Sequence, residues 1–382
     1  MIIIENPYVS DFLIDTIKKN SYKVLDNEVS RKYFDENELI STEEAKNLVL
    51  SGNESVYSNS ENSTDWVLEN LPESKLADMI KLSKNKYAFR NAIKSMYPNY
   101  FFKELSLSEL KSTDTKSLKF PLILKPEVGF LSFGVFAVEN EQEWEDVVSK
   151  IDDEIEKFKG IFPKSVVNTD KFLVEELIQG EEFAVDAYFD NDGNATILNI
   201  FQHPFFDGKD VSDRAYYTSK SIIKKHLTDF KTMLDKIGKT AGYKNFPFHL
   251  ELRCNDNDII PIELNPMRFC GWCITDIAQN AWGINVYEAY LSRQKPDWEE
   301  ILSQADESLF YFTIGDIPSD LNKSKIKYVD YDEYLKNISN PLVVRKIDYK
   351  NNPIFAIVFA KTSDMQEIKN ILKLDMKKFI SF

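Results

Sequence analysis

Two predicted strands around a polar turn constrain the fold of this chain more than any other feature. The segments 248–253 (FHLELR) and 259–264 (IIPIEL) flank a turn at 255–258 (NDND), and both place charged residues between apolar ones. Successive side chains of a strand point to opposite faces, so Glu251 and Glu263 could converge on one face of an antiparallel pair. An ordinary surface salt-bridge ladder would explain either strand alone.

The polar residues next to these two glutamates extend the pattern. Arg253 lies two residues after Glu251, and Asn265 lies two residues after Glu263. A charged side chain on a buried strand needs a partner, because burying it unpaired costs several kcal/mol. Two carboxylates and an amide oxygen are the hard ligands that Mg²⁺ prefers, with nucleotide phosphates completing its octahedron. The pattern therefore predicts a divalent-cation site on this strand pair.

A glycine-containing loop follows an apolar strand at 121–126. Lys125 lies at the end of that strand and could supply positive charge. The loop contains Gly129, Ser132 and Gly134; glycines let backbone N–H groups approach phosphate oxygens, and the hydroxyl adds a donor. The loop is not a P-loop, since no Gly-Lys-Ser/Thr opens a helix here. A plain β-hairpin turn would by itself explain the glycines.

An acidic segment at 174–182 (VEELIQGEE) separates two further predicted strands. Extended backbone at Glu175, Glu176 and Leu177 could form hydrogen bonds with an adenine edge. The carboxylate of Glu182 could accept hydrogen bonds from ribose hydroxyls. The alternative is a solvated acidic turn.

Composition narrows the classes of partner. Lys and Arg total 47 and Asp and Glu total 62, so the net charge is −15, which disfavours a nucleic-acid or membrane-surface role. The three cysteines, Cys254, Cys270 and Cys273, are too few for a secreted disulfide framework, and no second pair completes a zinc site. The apolar run at 1–4 is too short for a signal peptide, and we expect a cytoplasmic protein without a membrane span.

The order of these motifs resembles the ATP-grasp superfamily, in particular its carboxylate–amine ligases. The resemblance covers about 80–295 and implies an α/β (α+β) ATP-grasp fold. The expected units are an N-terminal pre-ATP-grasp α/β domain at 1–82, the ATP-grasp domain at 83–300 with a lid at about 115–172, and a small C-terminal α+β module at 301–382.

The resemblance also implies roles for single residues. Lys86 matches a phosphate-binding lysine, although Lys84 is close enough to be confused with it, and Lys125 matches the lysine between adenine and the α-phosphate. The remaining nucleotide-binding positions are Gly129, Ser132 and Gly134 in the lid, Glu175, Glu176 and Leu177 at the adenine, and Glu182 at the ribose. The implied magnesium ligands, with manganese as a substitute, are Glu251, Glu263 and Asn265.

Three positions stay open at this level. Arg268 resembles the arginine that steadies the transferred phosphate, but Met267 interrupts the usual Asn-Pro-Arg order, so Arg253 is an alternative. Arg214 could clamp a substrate carboxylate, or it could pair with a neighbouring aspartate. For His249 we expect a buried histidine satisfied by its neighbours rather than a proton carrier.

The implied reaction is ADP-forming ligation of a carboxylate and an amine, each a small molecule, through an acyl phosphate. A homodimer is expected by analogy with the family. Two alternatives remain within the fold, namely phosphotransfer without ligation and acid–thiol ligation. A nucleotide-binding protein without catalysis is the alternative of a different class, and redox chemistry at Cys270 and Cys273 is a further one.

Overall fold

The computed structural model describes the chain except residues 53, 129–133, 159–167, 207–211 and 319. At 128, 152–158 and 168–169 only the backbone is described. Within the described part, no helix is both long enough and apolar enough to cross a bilayer. The structure combines helices with sheets in an α/β (α+β) arrangement, as predicted.

A parallel sheet of order β3-β2-β1-β4 forms the N-terminal region. The elements here are β1 (Ile2–Ile3), α1 (Asp11–Asn20), β2 (Val24–Leu25), β3 (Leu39–Ile40), α2 (Thr42–Leu50), β4 (Tyr57–Ser58), α3 (Thr64–Asn70), α4 (Lys75–Lys84) and α5 (Lys86–Ala92). The spacing of apolar residues at 75–96 predicts one helix, but the structure has two. Asn85 leaves the helical conformation at φ −92°, ψ 102°, and its side chain caps α5 by accepting a hydrogen bond from the Ala88 N–H.

An antiparallel sheet of order β5-β8-β6-β7 follows. Its elements are β5 (Phe102–Ser106), α6 (Leu107–Ser112), β6 (Leu122–Val128), β7 (Phe136–Val138), α7 (Glu141–Phe158) and β8 (Asn168–Glu176). Its separate apolar core includes Leu124, Trp144 and Val174. Because β5 pairs with β8, this sheet extends on both sides of the expected lid segment 115–172.

The central region provides the strands that carry three acidic residues of the predicted site, Glu182, Glu251 and Glu263. Its elements are β9 (Glu181–Phe189), β10 (Ala195–His203), β11 (Ala215–Ser219), α8 (Lys220–Ala241), β12 (Phe246–Cys254), β13 (Ile259–Pro266), α9 (Ile277–Trp282), α10 (Val286–Leu291) and α11 (Trp298–Gln304). Helix α8 begins at the cap Ser219, ends at Gly242 with φ 76°, and buries Phe230 and Leu234 in the core.

The C-terminal elements are β14 (Leu309–Asp316), β15 (Tyr328–Val329), α12 (Tyr331–Leu335), β16 (Pro341–Lys346), β17 (Ile354–Thr362), α13 (Met365–Leu372) and β18 (Ile380–Ser381). The α+β character predicted for 301–382 is present. Its main strands extend the central sheet, however, which runs β13-β12-β9-β10-β11-β14-β17-β16. The contact is the β11–β14 pairing, for example Tyr217 opposite Tyr311. A boundary at 300 therefore divides one continuous sheet into two parts. Without β14, strand β11 would be an unpaired edge of that sheet.

Candidate functional site

The strand register brings the predicted acidic residues onto one face of the central sheet. Glu251 on β12 lies directly opposite Glu263 on β13, and Asn265 lies two residues further along β13. On the other side of β12, Arg253 lies opposite Glu182 of β9. A register shift next to Glu251 bulges β13 at Ile262, which keeps both glutamates on the same side.

Glu251 is the least compensated charge on this face. Its carboxylate has no hydrogen bond or ion pair among the residues that the structure describes. Burial and the neighbouring carboxylates of Glu263 and Asp213 raise the pKa of Glu251 well above its ordinary value. Asn265 is 8% exposed, and its side-chain amide likewise has no partner within the described chain. The charge of Arg268 partly offsets these effects, so Glu251 is influenced by positive charge without a direct ion pair in the described part of the chain.

The donor chemistry fits a divalent cation that is shared with a phosphate-bearing ligand. No group of three His, Cys, Asp or Glu side chains in the described residues could hold a metal ion. Glu251, Glu263 and Asn265 supply two carboxylates and one amide, so a cation here needs additional oxygen ligands. Such incomplete sites are usual for Mg²⁺, which is commonly held by one or two carboxylates together with substrate phosphates.

The two lysines at the α4–α5 junction have different partners. Lys86 Nζ lies 2.8 Å from Glu263 Oε2, whereas Lys84 Nζ lies 2.6 Å from Glu61 Oε2. Burial opposes the charge of Lys86, but Glu263 outweighs it and raises the pKa of the lysine. Lys86 is therefore the lysine next to the facing glutamates, and Lys84 joins a second cluster.

Lys125 belongs to a buried ion cluster with Glu175. Its Nζ lies 2.6 Å from Glu175 Oε1, while Arg90 and Tyr100 each contact Glu175 Oε2 at 2.9 Å. Burial raises the pKa of Glu175, but Arg90 and Lys125 outweigh it and lower the value to about 2. Burial raises the pKa of Glu263, and Lys86 lowers it. The charge of Lys125 lowers this pKa as well, so the cluster lies close to the acidic face.

Sequence reasoning missed Arg90 and Tyr100. The available signal was spacing, since Arg90 follows Lys86 by four residues on one helix. Both side chains are buried, and the Arg90 guanidinium lies 4.7 Å from the centre of the Tyr100 ring. Together they hold Glu175, and through it Lys125, in place.

The backbone at the predicted adenine contact is engaged within the protein. The N–H of Glu176 donates to Phe101 O and the N–H of Leu177 donates to Pro121 O, each at 3.0 Å. The side chain of Glu176 pairs with Lys119. An adenine edge that used the Leu177 N–H would replace the bond to Pro121. The adenine role of these residues stays a prediction.

Glu182, predicted at the ribose, already accepts two hydrogen bonds. Arg253 Nε lies 3.0 Å from Glu182 Oε2, and His203 Nδ1 lies 3.1 Å from Glu182 Oε1. Arg253 also donates to Ile178 O at 3.0 Å. These contacts place Arg253 beside Glu182, and the role of Arg253 or Arg268 at the transferred phosphate stays a prediction. His203 was missed because nothing in the sequence places it beside Glu182.

Arg268 reaches the site despite the extra residue before it. Met267 adopts φ 62° and is fully buried, and its carbonyl accepts a hydrogen bond from the Ser58 N–H at 2.8 Å. The interrupting residue therefore turns into the core. Arg268 Nε then donates to Glu61 Oε1 at 2.9 Å, and the charge of Glu251 contributes to raising the pKa of Arg268.

The lid glycines are only partly described. Gly129 and Ser132 lie outside the described residues. Gly134 adopts φ 65°, and a Cβ there would lie 3.1 Å from Pro126 Cγ. A side chain at Gly134 would therefore be strained and crowded.

Arg214 has a different environment from the one expected. Its Nη1 donates to Leu372 O at 3.0 Å and Leu374 O at 2.9 Å, and its Nη2 lies 3.1 Å from Asp316 Oδ1. These bonds tie the end of α13 to the central sheet. The Nη1 and Nη2 groups are therefore bound by the protein in this structure, and the substrate role of Arg214 stays a prediction.

His249 is a buried histidine held by a neighbour, as expected. Its Nδ1 lies 2.7 Å from Asp186 Oδ1, which also accepts a hydrogen bond from the Cys270 N–H at 2.8 Å. Burial raises the pKa of both Cys270 and Cys273, for Cys273 to about 11, and both are free thiols. A raised pKa disfavours the thiolate, which argues against redox chemistry at this pair.

Comparison with known proteins agrees with this geometry. Residues 118–276 match the family model of the ATP-grasp domain. No curated protein matches by sequence. Among solved structures, an L-amino acid ligase from Bacillus licheniformis has 17% identity and a TM-score of 0.68, covering 100% of this chain and 97% of that one.

Two further structures share the fold. A biotin carboxylase from Campylobacter jejuni, in a β-γ-ATP complex, has 15% identity and a TM-score of 0.64, with coverages of 96% and 88%. An N5-carboxyaminoimidazole synthase from Aspergillus clavatus, in complex with ADP, has 15% identity and a TM-score of 0.62, with coverages of 97% and 96%. Identities this low establish a common fold.

Proposed function

We propose that this protein is an ATP-dependent ligase that joins a carboxylate to an amine, since residues 118–276 match the family model of the ATP-grasp domain. The reaction would pass through an acyl phosphate and release ADP and phosphate. One observation carries the proposal: Glu251 faces Glu263 on a half-buried part of the sheet, with Lys86 bound to Glu263 and Lys125 close by.

The charge arrangement suits the first step, in which a carboxylate attacks the γ-phosphate. Both reactants are anionic, so their repulsion must be offset by positive groups that are already in place. Lys86, Lys125 and Arg268 are buried cations around the acidic face and would contact the phosphates. Glu251, Glu263 and Asn265 would hold magnesium, which supplies further neutralisation of phosphate charge when bound.

The second step is attack of the amine on the acyl phosphate. The amine nitrogen bonds to the acyl carbon, and the bond between that carbon and the phosphate oxygen breaks. Inorganic phosphate leaves with this oxygen, and the amine nitrogen gives up a proton. Water would hydrolyse the acyl phosphate, so the site must close during turnover. We propose that the loop containing Gly129, Ser132 and Gly134 performs this closure over the phosphates.

Amino acids are the first substrates to test, because a structurally similar protein is an L-amino acid ligase. The reaction consumes ATP, and we propose a cytoplasmic location with small molecules as partners. We also propose a homodimer, since one structural neighbour is a biotin carboxylase domain dimer.

The test is ADP release from MgATP in the presence of an amino-acid panel, with hydroxylamine added to trap acyl phosphate as a hydroxamate. Glu251→Gln and Glu263→Gln should each reduce ADP release about 100-fold or more, on the scale of removing one transition-state electrostatic contact. Glu43→Gln is the matched control, because Glu43 is an exposed side chain that pairs with Lys46 within helix α2.

Product analysis by mass spectrometry distinguishes the alternatives. An amide product supports ligation, and a phosphorylated acid released without an amine partner would support phosphotransfer instead. A thioester would indicate acid–thiol ligation. ATP binding without turnover for any acid–amine pair, unchanged in both glutamine variants, would refute the ligase proposal.

A further inference from the structure

Glu61 occupies a central position that the motif pattern does not assign. It lies in a short 3₁₀ helix, Glu61–Ser63, directly after the N-terminal parallel sheet. Its carboxylate accepts hydrogen bonds from Arg268 Nε at 2.9 Å and from Lys84 Nζ at 2.6 Å, and Arg268 Nη2 also contacts it. One carboxylate of the N-terminal region therefore binds two cations of the candidate site.

This cluster is largely removed from water. The side chains of Glu61, Arg268 and Lys84 are 19%, 15% and 17% exposed. Burial raises the pKa of Glu61, but Arg268 and Lys84 outweigh it and lower the value to about 2. Glu61 is thus ionised at neutral pH, and its charge also acts on Lys86 and Glu263. The cluster is electrostatically continuous with the acidic face.

The backbone around Glu61 is held independently of its carboxylate. The Ser58 N–H donates to Met267 O, and the Ser58 hydroxyl donates to Ser60 O at 2.9 Å. The Ser63 hydroxyl donates to the same carbonyl at 2.8 Å. The first of these bonds joins the N-terminal region to the segment before Arg268 through the backbone, and the other two hold the local turn at 58–63. This backbone contact does not involve the carboxylate of Glu61. The specific effect of that carboxylate is on where the two cationic side chains point.

We propose that Glu61 is a positioning residue that orients Arg268 and Lys84 toward the transferred phosphoryl group. The inference rests on the proposed ligase function, because that function assigns Arg268 to the phosphates; Lys84 lies beside Arg268 through their shared partner Glu61. Arginine presents its donors in a planar fork. Glu61 accepts from Nε and contacts Nη2, and the Phe269 carbonyl accepts from Nη1 at 2.9 Å, so these two partners together set the plane of the guanidinium. Without Glu61, both cations would keep their charge, but Lys84 would lose this partner and Arg268 would lose the partner of its Nε and Nη2.

A separation of kcat from KM tests this role. Glu61→Gln removes one negative charge near the phosphates, so KM for ATP should fall. The loss of orientation should lower kcat at least 10-fold. Glu61→Asp keeps the charge on a shorter side chain and should recover at least threefold of the lost kcat. Glu43→Gln, with the same change of charge on an exposed side chain of the N-terminal region, should match the wild type.

The proposal is overturned if kcat of Glu61→Gln stays within twofold of the wild type. A second outcome would also overturn it. If both Glu61 variants show a lower kcat, a higher KM and a lower melting temperature together, the role of Glu61 is purely structural. If the wild type yields neither ADP nor hydroxamate with any acid, the proposed function has failed separately. Calorimetric binding of MgATP then decides, since Glu61→Gln should bind about threefold more tightly, and unchanged or weaker binding would contradict the inference.

Discussion

The substitution Glu175→Gln should destabilise the sheet that carries Lys125 without changing its shape. The side chain of Glu175 is 2% exposed and pairs with both Arg90 and Lys125. Its pKa falls from 4.5 to about 2, and each unit is worth about 1.4 kcal/mol, so the ionised form contributes about 3 kcal/mol at pH 7. This agrees with the roughly 3–5 kcal/mol that breaking a buried ion pair costs.

The sign of the pH dependence follows from the lowered pKa. The stabilisation is fully present above the unfolded-state value of 4.5 and is lost as the pH falls through about 2. The same relation gives about 2 kcal/mol at pH 3.5, so the difference between wild type and Glu175→Gln should shrink from pH 7 to pH 3.5.

Urea unfolding at both pH values measures the difference in the free energy of unfolding. Hydrogen exchange of β8 amides reports the local part of the effect, because the protein has more than one core and a global two-state transition is not assured. The conservative control is Glu104→Gln, whose pair with Lys171 is more exposed. A loss below about 1 kcal/mol at pH 7, or a difference that grows toward low pH, would refute the assigned role of Glu175.

Three further predictions concern residues away from the chemistry. Arg214→Met should lower the free energy of unfolding by about 2–4 kcal/mol, because the bonds of Arg214 join α13 to the sheet, and it should leave KM for the acid unchanged. A selective rise in that KM, absent in the surface control Arg31→Met, would instead support a substrate role for Arg214. Gly180→Ala should lower the free energy of unfolding in urea by about 1–3 kcal/mol or more, since φ is 122° and a Cβ would lie 2.3 Å from Cys254 O. Gly283→Ala, at φ 69° with open space around it, should lower this free energy by less. Iodoacetamide at pH 7 should alkylate Cys254 before Cys270 and Cys273. Burial raises the pKa of all three thiols, but it raises that of Cys270 well above the ordinary value and that of buried Cys273 to about 11. Rapid labelling of Cys270, read by peptide mass spectrometry, would reopen the redox alternative.

The local pattern of the sequence was sufficient for the two acidic strands. Alternation along β12 and β13 predicts which side chains share a face, since that depends only on the twofold period of a strand. It therefore predicted that Glu251 and Glu263 converge. The order of motifs likewise predicted the ATP-grasp fold. The expectation that His249 is buried and satisfied by a neighbour is met, although the sequence did not identify Asp186 as that neighbour.

Only the tertiary structure decided how the cations are distributed. Glu61 meets Arg268 across 207 residues of chain, and Arg90 meets Glu175 across 85, so no local spacing could reveal these pairs. The same limit applies to Arg214, whose partners Asp316, Leu372 and Leu374 come from the C-terminal part of the chain. Local sequence determines the direction of a side chain on its own strand or helix, whereas the partner of a buried charge depends on which distant segment packs against it.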